Sequence, residues 1–357
     1  MGGQTRRRLC VTGGAGFIGS AACRALVRDG FEVLNLDKLT YAASPSSLAE
    51  IAHQPNYHFE RGDIADRSFL DRVLGAFKPD AILHFAAETH VDRSITGSDV
   101  FVQTNVVGTH ALLSAARAYW ESLSGDAKDG FRFLHVSTDE VFGALGDTGY
   151  FNEETPYDPQ SPYAASKAAA DHLVRAWGAT YKLPVLLANC TNNYGPYQFP
   201  EKLIPLATIN ALEGKPVAVY GAGANVRDWL HVDDHVAALR LILDRAAPGA
   251  SYMIGGRAER TNLHVVHTIC DALDAIAPRA GSRRDLIQFV ADRPGHDWRY
   301  AADCAKIERE LGWNPAHTFE AGLRETVQWY VDRRDWWQPI REGRYQGGRL
   351  GLLAEQA

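Results

Sequence analysis

The stretch Leu9-Cys10-Val11-Thr12-Gly13-Gly14-Ala15-Gly16-Phe17-Ile18-Gly19 decides the fold. A short apolar strand runs into glycines spaced G-x-x-G-x-x-G, and a helical pattern follows to Arg28. Gly13 permits a tight turn, Gly16 lets backbone approach a pyrophosphate, and Gly19 lets the helix pack on the strand. The helix that opens at Phe17 and Ile18 aims free N–H groups and a positive dipole end at that phosphate. Phe31 to Leu36 reads as the next strand, and Asp37 follows it. An acid there accepts from the adenosine ribose hydroxyls. It favours NAD over NADP, because a 2′-phosphate would be repelled.

Outward from this unit the alternation continues. Tyr57 to Arg61, Ala81 to Phe85, Phe131 to Val136 and Pro184 to Cys190 read as strands, with helical patterns between them. The fold class is therefore α/β, a doubly wound parallel-sheet (Rossmann) NAD-binding domain. Regularity breaks at Thr191 to Pro200, which is polar, aromatic and proline-rich. That shift predicts an NAD-binding domain over 1–190 and a smaller mixed α/β substrate domain over 191–357. Some C-terminal segments are expected to return to the first domain.

The chemistry gathers at Ser137-Thr138-Asp139-Glu140-Val141-Phe142-Gly143 and at Tyr163-Ala-Ala-Ser-Lys167. The first stretch ends a buried strand with a hydroxyl and two carboxylates. The second puts a phenol and an ammonium on one helix face, after the helix start Ser161-Pro162. An ammonium beside a phenol favours phenolate, so a lowered Tyr163 pKa is expected. Two carboxyls divide acid and base work when their environments separate their pKa values.

Other positions carry weaker signals. Asp63 reads equally as an adenine contact or as the cap of a helix starting near Asp66. Ala86 and Ala87, after Phe85, would let a flat cofactor approach. Thr89 lies in the loop beyond and is a fair substrate contact, whereas His90 reads as a packed loop residue. His231-Val-Asp233-Asp234-His235 has the look of a metal cluster, but an Asp cap on a helix Asp233–Asp244 is the better reading, and no metal is expected. Arg227 and Arg293 are either surface charges or a pyrophosphate clamp. The clamp is favoured because both lie in turn-rich sequence. Ser122 to Gly130 reads as a surface loop.

The 357 residues carry a net charge of −6, so nothing global draws the chain to nucleic acid or to an anionic membrane. No apolar run is long enough to span a bilayer. The five cysteines form no zinc or C-x-x-C spacing, and a reduced, cytoplasmic protein is expected.

At this point the residues resemble a known family. The Gly13 motif with Tyr163-x-x-x-Lys167 resembles the extended short-chain dehydrogenase/reductases. Asp37-Lys-Leu-Thr-Tyr-Ala42, Glu88-Thr-His-Val-Asp-Arg-Ser94, Ser137 to Gly143, Asn192 to Lys202, Arg227 to His231 and Asp292 to His296 resemble the dTDP-glucose 4,6-dehydratase family within that group. Thr191 and Phe142 depart from its usual serine and tyrosine.

The resemblance implies that Tyr163 removes the sugar C4 hydroxyl proton while Thr138 bonds the C4 oxygen. Glu140 would take the C5 proton, and protonated Asp139 would give a proton to the leaving C6 hydroxyl. It implies NAD contacts at Lys38, Thr40, Ile64, Thr104 and Asn193. It implies nucleotide-sugar contacts at Asn192, Lys202, Leu203, Val219, Tyr220, Arg227, Asn262, Asp292, Arg293, Pro294, Gly295 and His296. A homodimer is a further family expectation. A nucleotide-sugar 4-epimerase, a dehydratase of another nucleotide sugar, and a non-catalytic NAD-binding regulator are the competing readings. Epimerases of this fold lack the Asp139-Glu140 pair, and a regulator has no need of four titratable groups in one cleft.

Overall fold

The computed structural model describes residues 6–292, 295–343 and 345. Its strands are β1 (Arg8–Thr12), β2 (Glu32–Asp37), β3 (Tyr57–Arg61), β4 (Ala81–His84), β5 (Arg132–Thr138), β6 (Val185–Cys190), β7 (Asn192–Tyr194), β8 (Val217–Tyr220), β9 (Val226–His231), β10 (Ser251–Ile254), β11 (Glu259–Thr261) and β12 (Ile287–Val290). Seven form one parallel sheet in the order β10-β6-β5-β4-β1-β2-β3. β4 and β6 are buried along their whole length, as strands covered on both faces must be.

The chain leaves β1 toward β2 and β3, then crosses back to β4, β5 and β6. The order therefore reverses between β1 and β4, and a crevice opens beyond their carboxyl ends. Gly13, Asp37, Phe85 and Asp139 all lie at that edge. β10 joins the large sheet from late in the chain by pairing with β6. β7, β9 and β11 form a second sheet, and β8 with β12 a third. These pack with the helices Leu203–Leu212, Asn262–Ile276 and Phe319–Asp332 around Trp229, Ile269 and Leu323.

Local chemistry explains the elements that hold the site. The helix Pro162–Tyr181 starts where its sequence directs: Pro162 sits in its first turn, and Ser161 Oγ accepts from Ala164 N at 3.1 Å. The helical run between β4 and β5 spans Asp99 to Glu121, but Val102–Gly108 within it is wound as a π-helix. Such wide turns are frequent at functional sites, and this one buries Thr104 and Asn105.

Three readings need correction. The predicted loop at Ser122–Gly130 contains a helical turn, Gly125–Gly130. The helix after β9 runs Val232–Arg245 and is capped by His231, whose ring accepts from Asp233 N at 3.3 Å, rather than by an aspartate. Asp234 is turned away to bond His317 at 3.0 Å, and His235 bonds Asn193 at 2.9 Å. The helix after β3 is capped by Asp66, which accepts from Phe69 N, and not by Asp63.

Candidate active site

Two cavities meet beyond the carboxyl edge of the large sheet. The first, of about 270 Å³, is lined by Gly13, Gly16, Phe17, Ile18, Gly19, Asp37, Lys38, Thr40, Ile64, Phe85, Ala86, Ala87, Thr89 and Thr104. It reaches Thr138, Asp139, Glu140, Tyr163 and Lys167 at its inner end. The second, of about 360 Å³, is lined by Leu203, Val219, Tyr220, Arg227, Asn262 and His296. Glu140, Asn192, Asn193, Gln198, Glu201 and Lys202 line both. Glu140 thus stands where the two spaces join, with Thr138, Asp139, Tyr163 and Lys167 on the first cavity.

The first cavity fits a dinucleotide. Gly13 has φ +74°, and a Cβ there would lie 2.6 Å from Ala86 N, so the turn admits glycine alone. An added Cβ on Gly16 meets only Gly13 O, at 3.3 Å. As the helix cap, Gly16 offers no side chain to the first-turn amides, which leaves them for a phosphate. Asp37 accepts from Ala15 N at 2.9 Å and Leu39 N at 2.7 Å, which fixes its carboxylate at the end of β2. Asp63 is not among the lining residues. It bonds Ala65 N at 2.9 Å and lies 3.4 Å from Lys38 Nζ, which also reaches Thr104 Oγ1 at 3.1 Å.

The walls are tied together across long distances in the chain. Asn105 pins the loop after β4 through both backbone groups of Glu88, at 2.8 and 3.0 Å. It also donates to Ser166 Oγ at 2.9 Å, linking that loop to the Tyr163 helix. Lys202 donates to the Thr89 carbonyl at 2.9 Å. Glu201 is buried and accepts from Arg93 at 3.0 Å and Tyr41 at 2.9 Å. Those partners lie 108 and 160 residues away, beyond any local pattern.

Arg227 is neither in a loop nor on the surface. It is buried in β9, donates to the carbonyls of Val226 and Asp297, and lies over the Tyr300 ring at 4.3 Å. A guanidinium so held is a fixed charge on the wall of the second cavity. His296 bonds Asp292 at 2.6 Å. Asp292 and Gly295 are not among the lining residues of either cavity. Arg293 and Pro294 lie outside the described residues.

The two carboxylates stand in different surroundings. Asp139 is buried and Glu140 half-buried. Burial, then the charges of Glu140 and Asp228, push the Asp139 pKa well above the usual carboxylate value. Both causes favour the protonated form of Asp139. Thr138 Oγ1 donates to its Oδ1 at 3.2 Å, and its Oδ2 is buried with no hydrogen-bond partner among the described residues. An orphaned oxygen of this kind is a donor site awaiting an acceptor. Asp228, itself raised to about 6 by burial, is a contributor the sequence reading left unused.

The phenol departs from expectation. Tyr163 and Lys167 are buried on one face, but the Tyr163 pKa stands well above its ordinary value of 10.0. Burial and the Glu140 charge raise it, and a hydrogen bond with Thr138 opposes them. Lys167 is itself pulled down by burial, and its Nζ is held by Val136 O at 2.9 Å. In the protein alone burial sets the direction of the Tyr163 shift.

A glycine turn for a dinucleotide, a Tyr-x-x-x-Lys helix and a second cavity joined to the first define an extended short-chain dehydrogenase/reductase. Comparison with known proteins narrows this. The GDP-mannose 4,6 dehydratase family model matches residues 10–326. The dTDP-glucose 4,6-dehydratase of Neisseria meningitidis is 56% identical over 351 residues, 97% of this chain and 99% of that one. The dTDP-glucose 4,6-dehydratase of Salmonella typhimurium is 53% identical over 349 residues, 95% of this chain and 97% of that one. The crystal structure of DesIV, a dTDP-glucose 4,6-dehydratase from Streptomyces venezuelae with NAD and TYD bound, matches with a TM-score of 0.85 at 48% identity, covering 93% of this chain and 99% of that one. The chain belongs to the dTDP-glucose 4,6-dehydratase family.

Proposed function

We infer that this chain dehydrates dTDP-glucose to dTDP-4-keto-6-deoxyglucose with NAD as cofactor. One observation carries the choice within the family's fold: a buried Asp139, its pKa pushed up and one oxygen orphaned, stands beside Glu140, which lines both cavities. The UDP-glucose 4-epimerase of Thermus thermophilus has the same fold, with a TM-score of 0.81 at 29% identity, so the fold alone does not distinguish the reactions. An epimerase has no water to expel and no need of a neutral acid.

Bound NAD supplies a hydride acceptor at the start of the cycle and a hydride donor at its end. Tyr163 accepts the C4 hydroxyl proton, with Thr138 beside the same oxygen. The 4-ketone acidifies C5–H, and Glu140 takes that proton. Asp139 gives its proton to the C6 hydroxyl, which leaves as water. C6 then carries the hydride that began on C4, and a proton returns to C5. The atoms balance: the sugar loses one hydroxyl and one proton, the elements of water. Arg227, Lys202 and Asn262 on the second cavity support a diphosphate and its nucleoside there.

Glu140→Gln is expected to block water loss while C4 oxidation persists. Mixing it with dTDP-glucose should build up reduced-cofactor absorbance and yield no 6-deoxy product. Parental turnover would remove Glu140 from its role. Incubating the parent with dTDP-, UDP-, CDP- and GDP-glucose and reading the keto-sugar chromophore in alkali tests the substrate. A 4-epimer without keto product would favour the epimerase.

The chain is read as a homodimer. Val100 and Val107 are exposed on the helical run Asp99–Glu121, and Tyr181 is exposed on the neighbouring helix Pro162–Tyr181. His110 and Trp177 bridge the two helices with rings 5.4 Å apart. Two such helices meeting their copies across a two-fold axis bury this face. Val107→Glu is expected to yield monomer in sedimentation equilibrium, and an unchanged dimer would place the contact elsewhere. No described helix is long and apolar enough to cross a membrane. The five cysteines are buried and free, which supports a reducing, cytoplasmic setting.

A further inference from the structure

The face of the helix Pro162–Tyr181 that carries Tyr163 and Lys167 carries a third ionisable residue one turn on, Asp171. The reaction outlined above makes no use of it. Asp171, Lys167 and His135 are all buried. Lys167 Nζ lies 3.4 Å from His135 Nε2, and that nitrogen lies 3.2 Å from Asp171 Oδ1. Asp171 Oδ2 accepts from Ser137 Oγ at 2.8 Å, Tyr157 OH at 2.8 Å and Asn189 Nδ2 at 3.2 Å. His135 Nε2 meets Asp171 Oδ1 at ion-pair distance, and neither that oxygen nor His135 Nδ1 has a hydrogen-bond partner among the described residues. His135 thus stands between the ammonium and the carboxylate, with one ring nitrogen in reach of both.

Three donors on one oxygen and an imidazole on the other are a site built for a carboxylate anion. Burial works against that charge, but His135, Lys167 and Ser137 more than offset it and hold the Asp171 pKa low. The ammonium needs the same help. A buried lysine without a counter-charge sheds its proton, and among the charges around Lys167 it is Asp171, with Cys190, that opposes burial. The other titratable groups facing Lys167 are His84 and His135 from the sheet and Tyr163 on its own helix, with burial keeping both imidazoles neutral. Facing Asp171 from the other side is Tyr157, backed by Arg175.

We propose that Asp171, acting through His135, is the positioning counter-charge that keeps Lys167 an ammonium beside Tyr163, so that the working motif is Tyr-x-x-x-Lys-x-x-x-Asp. The kinetic consequence rests on the reading that Tyr163 and Lys167 begin the oxidation. The electrostatic core of the proposal does not.

The test uses the NAD-loaded full chain. Asp171→Asn keeps the shape and removes the charge. The alkaline limb of the C4-oxidation rate should move down by a pH unit or more, cutting the rate on that limb by about tenfold. Asp171→Asn should also lower the thermal midpoint, because it strands a buried charge. Adding Lys167→Met should restore that midpoint, and the double variant should oxidise C4 no more slowly than Lys167→Met alone. If Asp171→Asn does not fold, recovery of a folded protein in the double variant carries the test, and no recovery overturns the proposal. A parental pH profile in Asp171→Asn, or an equal stability loss with and without Lys167, also overturns it. Failure of the dehydratase reading would leave the stability cycle intact. Failure of the counter-charge would abolish the cycle while the parent still turned over dTDP-glucose.

Discussion

Asp139→Asn is expected to oxidise C4 and then stall. The amide fills the carboxyl's place and still accepts from Thr138, so the buried packing survives. It holds no proton that it can give up, and the C6 hydroxyl must leave as hydroxide. A positioned general acid is worth roughly 10²–10⁴-fold, and the elimination should slow by an amount in that range. Reduced-cofactor absorbance would rise on mixing and persist, and deuterium from solvent would enter C5 of recovered sugar, because Glu140 is untouched. Formation of 6-deoxy product at the parental rate would exclude Asp139 as the acid.

The same variant has a signature in stability. Asp139 has a folded pKa well above its ordinary 3.8, with burial first among the causes. Its contribution to stability is complete below the unfolded pKa and is lost as pH rises through the folded one. The parent should therefore weaken as the solution is made alkaline through that folded value. Asn cannot ionise, so its thermal midpoint should fall less over the same range. Parallel midpoint curves would mean that Asp139 is ionised in the folded parent.

How much of this was written in the chain depends on distance. Gly13, Asp37 and the strand-then-helix spacing are local signals, and each lies where the pattern puts it. The i, i+4 relation of Tyr163 and Lys167 is equally local, and extending it one turn would have found Asp171. Glu201, Asn105 and His135 were not legible, because each acts through residues brought from another strand or loop. Arg227 was misread for a related reason. Its neighbours in sequence suggest a turn, but it belongs to β9, whose register with β7 and β11 is set by residues far away. The direction of the Tyr163 shift was misjudged because spacing reveals charge neighbours and not burial. Asp139 came out as expected because there burial and neighbouring charge push the same way.

Tyr163→Phe is expected to abolish the first step. The ring keeps its volume and its edge contact with Phe101, whose centroid is 6.3 Å away, so the helix and the cavity wall should persist. What disappears is the only oxygen on that side chain able to take the C4 hydroxyl proton. Loss of a positioned base costs about 10²–10⁴-fold, and reduced cofactor should not build up even over many parental turnovers. The pH dependence separates this from a packing defect. The Tyr163 pKa is raised by burial first and Glu140 second, so phenolate is scarce near neutrality and grows as pH rises. The parent's C4 oxidation should therefore quicken with pH until Lys167 loses its proton, helped by whatever positive charge stands near the phenol: Lys167 while protonated, and the oxidised nicotinamide when bound. The Phe variant should be slow and flat across the same range. A Phe variant that keeps the parental slope would assign the ionisation to another group, and one that keeps the parental rate would require another base.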